Sequence, residues 1–261
     1  MRVPLAYGIL GLLTIAVGCA GPSTRADPAM PDGSVGDGPG HTPGTPGLGA
    51  HTLKFQAYHE PDHPVTVLST SPMSTQTSGS TIIVGIGRGD NTKFVLPTDN
   101  KGNSPYRQVD VMHAYAPNFT ESGTALYAFP SAHGGPGHTI AATTPADDEI
   151  TLAAVEVVDG THVQDYKWNQ GDADPLTSLE VTTTGPATLI AFWWGGGFPD
   201  TEPQTAIPDN GFQVIDKNVE TLGGFVQCAV AVKNVTNAGP YSVTWTSTPN
   251  QSAQLWLIAV Q

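Results

Sequence analysis

Basic side chains are scarce in this 261-residue sequence, which carries ten lysines and arginines against twenty-three aspartates and glutamates. The formal charge of -13 at pH 7 would repel a phosphate backbone or an anionic lipid surface. We therefore expect no nucleic-acid partner. The acidic balance indicates a well-solvated exterior and does not by itself indicate a ligand.

Long helical segments are missing as well. Charged residues make up only 13% of the chain, while glycine (30) and proline (23) are abundant, and almost no apolar run is long enough for a helix. This composition is typical of many short strands joined by turns. The 39% hydrophobic content is ample for a packed core, so the sequence predicts an all-β protein of one or two domains.

Familiar catalytic and cofactor motifs are also lacking. The sequence contains no Gly-x-Ser-x-Gly elbow, His-Glu-x-x-His helix, phosphate loop or dinucleotide fingerprint. We expect no cofactor, and a non-catalytic protein is favoured over an enzyme. A hydrolase stays an alternative, because a pair of catalytic carboxylates leaves no local sequence signature.

The N-terminus carries an apolar run over residues 5–17, which is shorter than the roughly 20 residues that a membrane-spanning helix needs. The run ends in Ala16-Val17-Gly18-Cys19 and resembles the lipobox of bacterial lipoproteins. This resemblance implies a signal peptide over residues 1–18, a diacylglyceryl group on Cys19 and anchoring in the cell envelope. Because Ala20 follows the cysteine, the resemblance also favours anchoring in the outer membrane. Cleavage after Ala20, giving a secreted protein, is the alternative.

A Pro/Gly-rich stretch follows the cysteine. Residues 20–50 include no aromatic side chain and cannot bury enough apolar surface to fold. We predict a lipidated, flexible tether over residues 19–51 and a β-sandwich over residues 52–261. As a coil, the tether would span about 30 Å.

The second of only two cysteines, Cys228, lies in a strand pattern with Val226 and Val230 on the same face. It is therefore expected to be a buried thiol. If Cys19 carries a lipid, no intramolecular disulfide can form. The sandwich must then be stable through its core alone.

Two series of short β-rich runs follow the tether. The first covers residues 53–58, 80–87, 93–96, 107–115, 125–129, 139–143 and 150–158, and the second covers residues 187–194, 212–216, 225–233, 241–246 and 254–260. Thr81-Ile82-Ile83-Val84 matches Thr188-Leu189-Ile190-Ala191, and residues 138–143 match residues 241–246, which lie 103 positions later. The sequence thus predicts internal repeats over about 74–160 and 180–261.

The rhythm of turns and strands over residues 79–261 resembles duplicated jelly-roll modules of bacterial surface and phage tail proteins. It implies a jelly-roll-like or Greek-key β-sandwich with an internal duplication. Each half could be a separate sandwich, or both halves could build one larger jelly roll. The lack of a linker between residues 159 and 179 favours one continuous body.

Trp193 and Trp194 are neighbours on a predicted strand, so their rings point to opposite faces. One ring can enter the core while the other is exposed beside Gly195-Gly196-Gly197, where a ligand could approach the backbone closely. An exposed indole there would stack on a sugar. The predicted ligand-binding residues are Trp193, Trp194, Phe198, Asp200 and Glu202. The alternative is that the second ring packs under the loop of residues 198–208.

Metal sites are not expected. His113, His133 and His138 could together form a three-histidine metal site. His133 and His138, however, flank a glycine-rich turn, which would not hold its ligands as rigidly as zinc needs. Acidic residues gather at residues 147–149 and 172–174, and Asp99 with Asn103 forms an oxygen-rich loop. None has the spacing of a recognised calcium loop.

Three hypotheses for function follow. The first is a non-catalytic envelope lipoprotein whose sandwich binds a glycan or another surface component. The second is a structural or assembly module of an envelope complex, whose partner would be an envelope protein. The third is a secreted hydrolase. A concave aromatic groove would favour the first, a flat apolar face the second and converging carboxylates the third.

Overall fold

A computed structural model of the chain describes residues 44–56, 66–89, 94–115, 119–143, 149–172, 174–196, 204–219 and 227–261. These residues form nineteen β-strands and include no helix that could cross a membrane. The predicted all-β class is confirmed. The described residues belong to one compact unit, residues 33–261. The predicted signal peptide and Cys19 lie outside the described residues.

Module 1, the first half of the described chain, forms two antiparallel sheets. Its strands are β1 (Gly47–Gln56), β2 (Val67–Ser69), β3 (Ser78–Arg88), β4 (Thr98–Asp99), β5 (Arg107–Gln108), β6 (His113–Tyr115), β7 (Phe119–His133), β8 (Ile140–Thr143) and β9 (Ile150–Val158). The large sheet has the order β1, β9, β3, β7, β5, with β6 also paired to β7. The small sheet has the order β2, β8, β4.

Module 2, the second half, repeats this plan. Its strands are β10 (Val163–Gly171), β11 (Leu176–Thr177), β12 (Val181–Thr183), β13 (Ala187–Gly195), β14 (Thr205–Pro208), β15 (Gln213–Asn218), β16 (Gln227–Val235), β17 (Gly239–Tyr241), β18 (Thr244–Thr248) and β19 (Ala253–Val260). The large sheet has the order β10, β19, β13, β16, β15, and the small sheet has the order β11, β18, β14. Strands β12 and β17 form a separate pair.

Both modules therefore have the strand order of a jelly roll, in which the first and last long strands are neighbours and the short strands form a second sheet. Thr81 lies opposite Val157 in module 1, and Thr188 lies opposite Val260 in module 2. Thr81 and Thr188 are equivalent in the predicted repeat, and Val157 and Val260 are separated by the same 103 positions as residues 138 and 241. The internal duplication is confirmed, and each half builds its own jelly roll.

The repeats are longer than predicted. They begin with β1 and β10, and so cover residues 47–158 and 163–260 instead of 74–160 and 180–261. Because β1 starts at Gly47, residues 47–51 belong to a strand and not to the predicted tether. Both strands lie at a sheet edge and are mostly half-buried, so their side chains show no clear alternation of polar and apolar residues.

The two modules stack through their large sheets. The core between these sheets, the inter-module core, contains Ile83, Leu126, Ala128, Ala153, Val155 and Val157 of module 1 and Ile190, Phe192, Trp194, Cys228, Val230, Val232, Trp256, Ile258 and Val260 of module 2. The other face of each large sheet packs on the small sheet of its own module. The layers thus run small, large, large, small, with three hydrophobic cores.

Cys228 lies in the inter-module core and is completely buried. Burial raises the pKa of its thiol well above the ordinary value, and the charge of Asp216 acts in the same direction. The prediction of a buried thiol is confirmed. The thiol therefore serves as a small apolar group in the packing of the two sheets.

Gly85 in β3 lies in tight contact with the large sheet of module 2. A Cβ atom placed there would lie 2.9 Å from two ring atoms of Phe192 and 3.0 Å from Trp194. Both aromatic rings are fully buried, so neither can move aside. We expect Gly85→Ala to lower the free energy of unfolding by about 1–3 kcal/mol, measured by urea denaturation.

Gly185→Ala is the matched control, because a Cβ there would meet nothing closer than 3.5 Å. That variant should be nearly as stable as the parent chain. Equal stability of the two variants would contradict the packing described for Gly85.

Candidate functional site

The structure buries both tryptophans of the predicted binding site. Trp193 and Trp194 lie in β13, the middle strand of its sheet, and each is 1% exposed. Trp193 packs in the core of module 2 and stacks on Trp245, with ring centroids 6.1 Å apart. Trp194 packs in the inter-module core and donates a hydrogen bond to Thr151 Oγ1 at 2.8 Å. The prediction of an exposed indole is wrong, because protein covers both faces of β13.

Phe198, Asp200 and Glu202, the remaining predicted ligand-binding residues, lie outside the described residues. Their part in a site therefore stays a prediction. Of the two described members of the predicted set, Trp193 lies close to a group of polar side chains.

Three buried glutamines gather near Trp193 in module 2. This glutamine cluster consists of Gln204, Gln227 and Gln251, each at most 8% exposed. Gln227 Nε2 donates a hydrogen bond to Gln204 Oε1, and Gln251 Nε2 donates to the same oxygen at 3.4 Å. Each side chain carries two donors and one carbonyl acceptor in a small volume, with no formal charge.

The backbone of module 2 brings these side chains together. Gln227 is the first residue of β16 and pairs with Gly195 at the end of β13. Gln251 precedes β19, and Gln204 precedes β14. The cluster therefore lies where four segments of the jelly roll meet, at one end of the module.

Gly195 allows the cluster to approach the indole of Trp193. A Cβ at Gly195 would lie 2.3 Å from Trp193 Cη2 and 2.4 Å from Gln251 Oε1. The ring and the amide therefore occupy the space on one side of this glycine, and any side chain there would displace them. The result is an indole beside a group of amides.

Trp245 adds an unsatisfied donor to the same core. Its ring is completely buried and stacks on Trp193, yet its Nε1–H has no hydrogen-bond partner. Buried indole N–H groups usually find an acceptor, since an unpaired buried donor is destabilising. This part of module 2 therefore holds a donor without an acceptor.

The duplication provides an internal comparison for these residues. The sheet registers place Ile86, Gly123 and Ala142 of module 1 at the positions that Trp193, Gln227 and Trp245 occupy in module 2. Module 1 forms the same jelly roll without the amides or indoles. The fold itself therefore does not require them.

Module 1 has a polar network of its own around Asp99. Asp99 Oδ2 accepts hydrogen bonds from Asn103 Nδ2 at 2.6 Å and from Tyr106 Oη at 2.8 Å. His138 Nε2 lies 3.3 Å from the same oxygen, and His138 Nδ1 lies 3.0 Å from Thr75 Oγ1. The resulting hydroxyl, imidazole and carboxylate order is that of a hydrolase triad.

This network is closed to a substrate. The side chains of His138 and Asp99 are both 0% exposed. Thr75 Oγ1 also accepts a hydrogen bond from the backbone N–H of Gly135 at 3.0 Å, so the hydroxyl is fixed against the adjacent turn. These residues hold the turn to the strands and do not face a cleft.

His113, another histidine considered above as a possible metal ligand, lies in the contact between the modules. Its ring stacks on Trp168 at 4.0 Å, and Nε2 lies 3.2 Å from Asp110. It is therefore separate from His138. Among the residues that the structure describes, no three histidine, cysteine, aspartate or glutamate side chains are grouped as metal ligands.

The strand order and the repeat define the class of fold as a duplicated jelly-roll sandwich. Comparison with models of known protein families, with curated proteins and with solved structures finds no significant match. A function can therefore be assigned only from the chemistry of the protein's own side chains.

The Asp99 network predicts a specific response to acid. Burial raises the pKa of Asp99, but hydrogen bonds from Asn103, Tyr106 and His138 outweigh burial and hold the pKa below its usual value of 3.8. The ionised carboxylate thus stabilises the fold above pH 3.8, and this contribution is lost as the pH falls through the lower folded-state value. Asp99→Asn should remove this part of the acid dependence.

The measurement is the urea midpoint at pH 7 and pH 3. Asp99→Asn should be less stable than the parent chain at pH 7 by about 1–3 kcal/mol, because its amide cannot accept from all the donors. Asp209→Asn is the control, since Asp209 Oδ1 accepts one exposed backbone hydrogen bond. Parallel acid profiles for Asp99→Asn and the parent chain would refute the assignment.

Proposed function

We propose that this chain is a non-catalytic module of the cell envelope whose second jelly roll binds a glycan. One observation carries the proposal: a cluster of buried amides lies beside stacked indoles in module 2, and module 1 builds the same fold without them. The contact residues would be Trp193 and the glutamine cluster; because all four side chains are at most 8% exposed, a sugar could reach them only after the groups that cover them move apart.

The chemistry of these side chains suits a sugar. An amide can donate to one hydroxyl and accept from another, as neighbouring hydroxyls on a sugar ring require. An indole face packs against the apolar C–H face of the ring, while a few convergent polar groups fix its orientation. Module 2 provides both kinds of group within one core.

Two carboxylates whose side chains are buried, Glu156 and Asp99, support a non-catalytic role. Glu156 Oε1 accepts from Gln76 N at 2.7 Å and from Ser80 Oγ at 2.6 Å, and its other oxygen accepts from Ala50 N at 3.0 Å. Asp99 is held by its own network. These two carboxylates are used in two separate sets of structural hydrogen bonds.

A test of the site is a screen of the purified chain against a panel of polysaccharides, followed by titration calorimetry with any hit. Gln227→Met keeps the length of the side chain but removes its amide, so we expect Kd to rise at least about tenfold. Tyr106→Phe is the control, because it alters a buried hydrogen bond of module 1 only. It should leave Kd unchanged.

A panel without any hit would contradict the proposal. Equal affinities of Gln227→Met and the parent chain would remove the glutamine cluster from the site. Circular dichroism of each variant would establish that it is folded.

Display on the envelope would depend on Cys19, whose lipid would anchor the chain in a membrane, with the outer membrane favoured. Cys19→Ala should move the chain from the membrane fraction to the soluble fraction of the producing bacterium, as detected by immunoblot. Cys228→Ala is the matched control and should stay in the membrane fraction, because Cys228 is buried in the sandwich. Membrane retention of a cleaved Cys19→Ala chain would contradict lipid anchoring.

Assembly with an envelope protein is a second candidate, favoured by the outward faces of the small sheets. In module 2, Ile207 is 61% exposed and lies opposite Thr246. In module 1, Val67 is 50% exposed and lies opposite Thr143, the residue equivalent to Thr246. Each outer sheet therefore presents an apolar side chain next to a threonine, and a blank glycan panel would favour this alternative.

A further inference from the structure

We propose that Thr124 and Gln254 react with each other to form an ester bond that joins the two modules covalently. The bond links Oγ1 of Thr124, in β7, to Cδ of Gln254, in β19, and ammonia is released. This proposal does not depend on glycan binding. Three observations carry it: the contact between the hydroxyl and the amide, their burial, and an imidazole and carboxylate beside them.

The hydroxyl and the amide meet where the two large sheets pack together. Thr124 Oγ1 donates a hydrogen bond to Gln254 Oε1 at 2.5 Å, and the indole N–H of Trp256 donates to the same hydroxyl at 2.8 Å. Gln254 Nε2 donates to the backbone oxygens of His113 and Ala114, at 3.3 and 2.9 Å. Both groups are therefore held in one orientation, which favours a reaction between them.

An imidazole lies beside the hydroxyl. His113 in β6 is the cross-strand partner of Thr124 in β7, and residues in such pairs have Cβ atoms about 4.5–5.5 Å apart. The His113 ring also packs edge-on against Trp256, with ring centroids 5.0 Å apart. His113 Nε2 lies 3.2 Å from Asp110 Oδ2, which fixes the ring and leaves Nδ1 for the proton of the hydroxyl. Hydroxyl, imidazole and carboxylate in this order activate a nucleophile.

The reaction is an acyl transfer from nitrogen to oxygen. As Thr124 Oγ1 attacks Gln254 Cδ, the hydroxyl proton passes to His113 and the Oγ1–Cδ bond forms. The Cδ–Nε2 bond then breaks, the proton passes from His113 to Nε2, and ammonia leaves. One O–H and one C–N bond are broken, and one C–O and one N–H bond are formed. No oxidant, cofactor or external substrate is needed, because both reactants belong to the chain.

Burial protects the ester from hydrolysis. Thr124 is 1% exposed and Gln254 is 0% exposed, so water is excluded from the bond between them. The side chains of His113 and Asp110 are 21% and 31% exposed, so the imidazole connects the buried pair with solvent. The bond joins residues 130 positions apart and keeps the two large sheets together.

The duplication shows that the sandwich can pack without this pair. The sheet registers place Cys228 of module 2 at the position equivalent to Thr124, and Thr151 of module 1 at the position equivalent to Gln254. The equivalent pair thus consists of a thiol and a hydroxyl, with no side-chain carbonyl to attack. A hydroxyl and an amide stand together at one of the two equivalent places.

The test is mass spectrometry of the full chain after purification and digestion with trypsin. Thr124 and Gln254 belong to different tryptic fragments, residues 108–167 and 234–261. We expect one species that contains both fragments and has their summed mass less one ammonia. Mild alkali hydrolyses an ester and leaves peptide bonds intact. It should therefore separate the two fragments, with the glutamine recovered as a glutamate.

Thr124→Val removes the nucleophile and keeps the shape of the side chain, so its digest should contain the two fragments separately. Thr151→Val is the matched control. It also removes a buried hydroxyl between the modules, one that accepts the indole N–H of Trp194 at 2.8 Å. Its digest should still contain the joined species. Circular dichroism would establish that each variant is folded.

His113→Phe tests the base. Phenylalanine keeps a ring that can stack on Trp168 but cannot take up a proton. The joined species should accumulate about a hundredfold more slowly than in the parent chain, as followed by sampling freshly synthesised protein over time. An unchanged rate in the folded variant would overturn the role of the imidazole.

The parent chain alone can overturn the ester bond. Separate fragments with an intact Gln254 amide, obtained from the folded chain, would show that the contact is only a hydrogen bond. A joined species that survives alkali would exclude an ester. A joined species in the digest of Thr124→Val would exclude Thr124 as the nucleophile.

Discussion

The architecture depends on the packing of two large sheets face to face in the inter-module core. A jelly-roll sheet normally covers its own small sheet and leaves its outer face to solvent. Here that outer face is buried against the other module, so β3, β9, β13 and β19 have protein on both sides. Their nearly continuous apolar sequences follow from this arrangement. Among the described strands, the outer faces of the small sheets and the sheet edges remain for contact with partners.

The inter-module core also explains why the two copies differ in sequence. Phe192 packs against Gly85, and these residues occupy equivalent positions in the two modules. Two phenylalanines would overfill this space and two glycines would leave a void, so the copies had to diverge there. The indole N–H of Trp256 donates to Thr124 of module 1 at 2.8 Å, a directional contact that aligns one sheet on the other.

This packing also determines which strands and side-chain positions could be predicted from the sequence. Strand β9 was predicted to the residue, because a buried run between turns has a clear beginning and end. Strand β10 was not predicted, since its polar side chains are only half-buried and it is held by backbone pairing with β19. The two-residue period placed Trp193 and Trp194 on opposite faces correctly. It could not indicate that a second module covers the face expected to be open.

The glutamine cluster could not be found from sequence because Gln204, Gln227 and Gln251 are far apart in the chain. One local feature was available: Gln227 shares the core-facing side of β16 with Ala229 and Ala231, where an amide is out of place. The Asp99 network of module 1 is equally polar, but its carboxylate and imidazole are satisfied by one another and by their neighbours. A satisfied network stabilises a fold, whereas a buried donor without an acceptor is a cost that binding could offset. The unpaired N–H of Trp245 is such a cost, as are those of Trp168 Nε1 and Asn218 Nδ2, and all three lie in module 2.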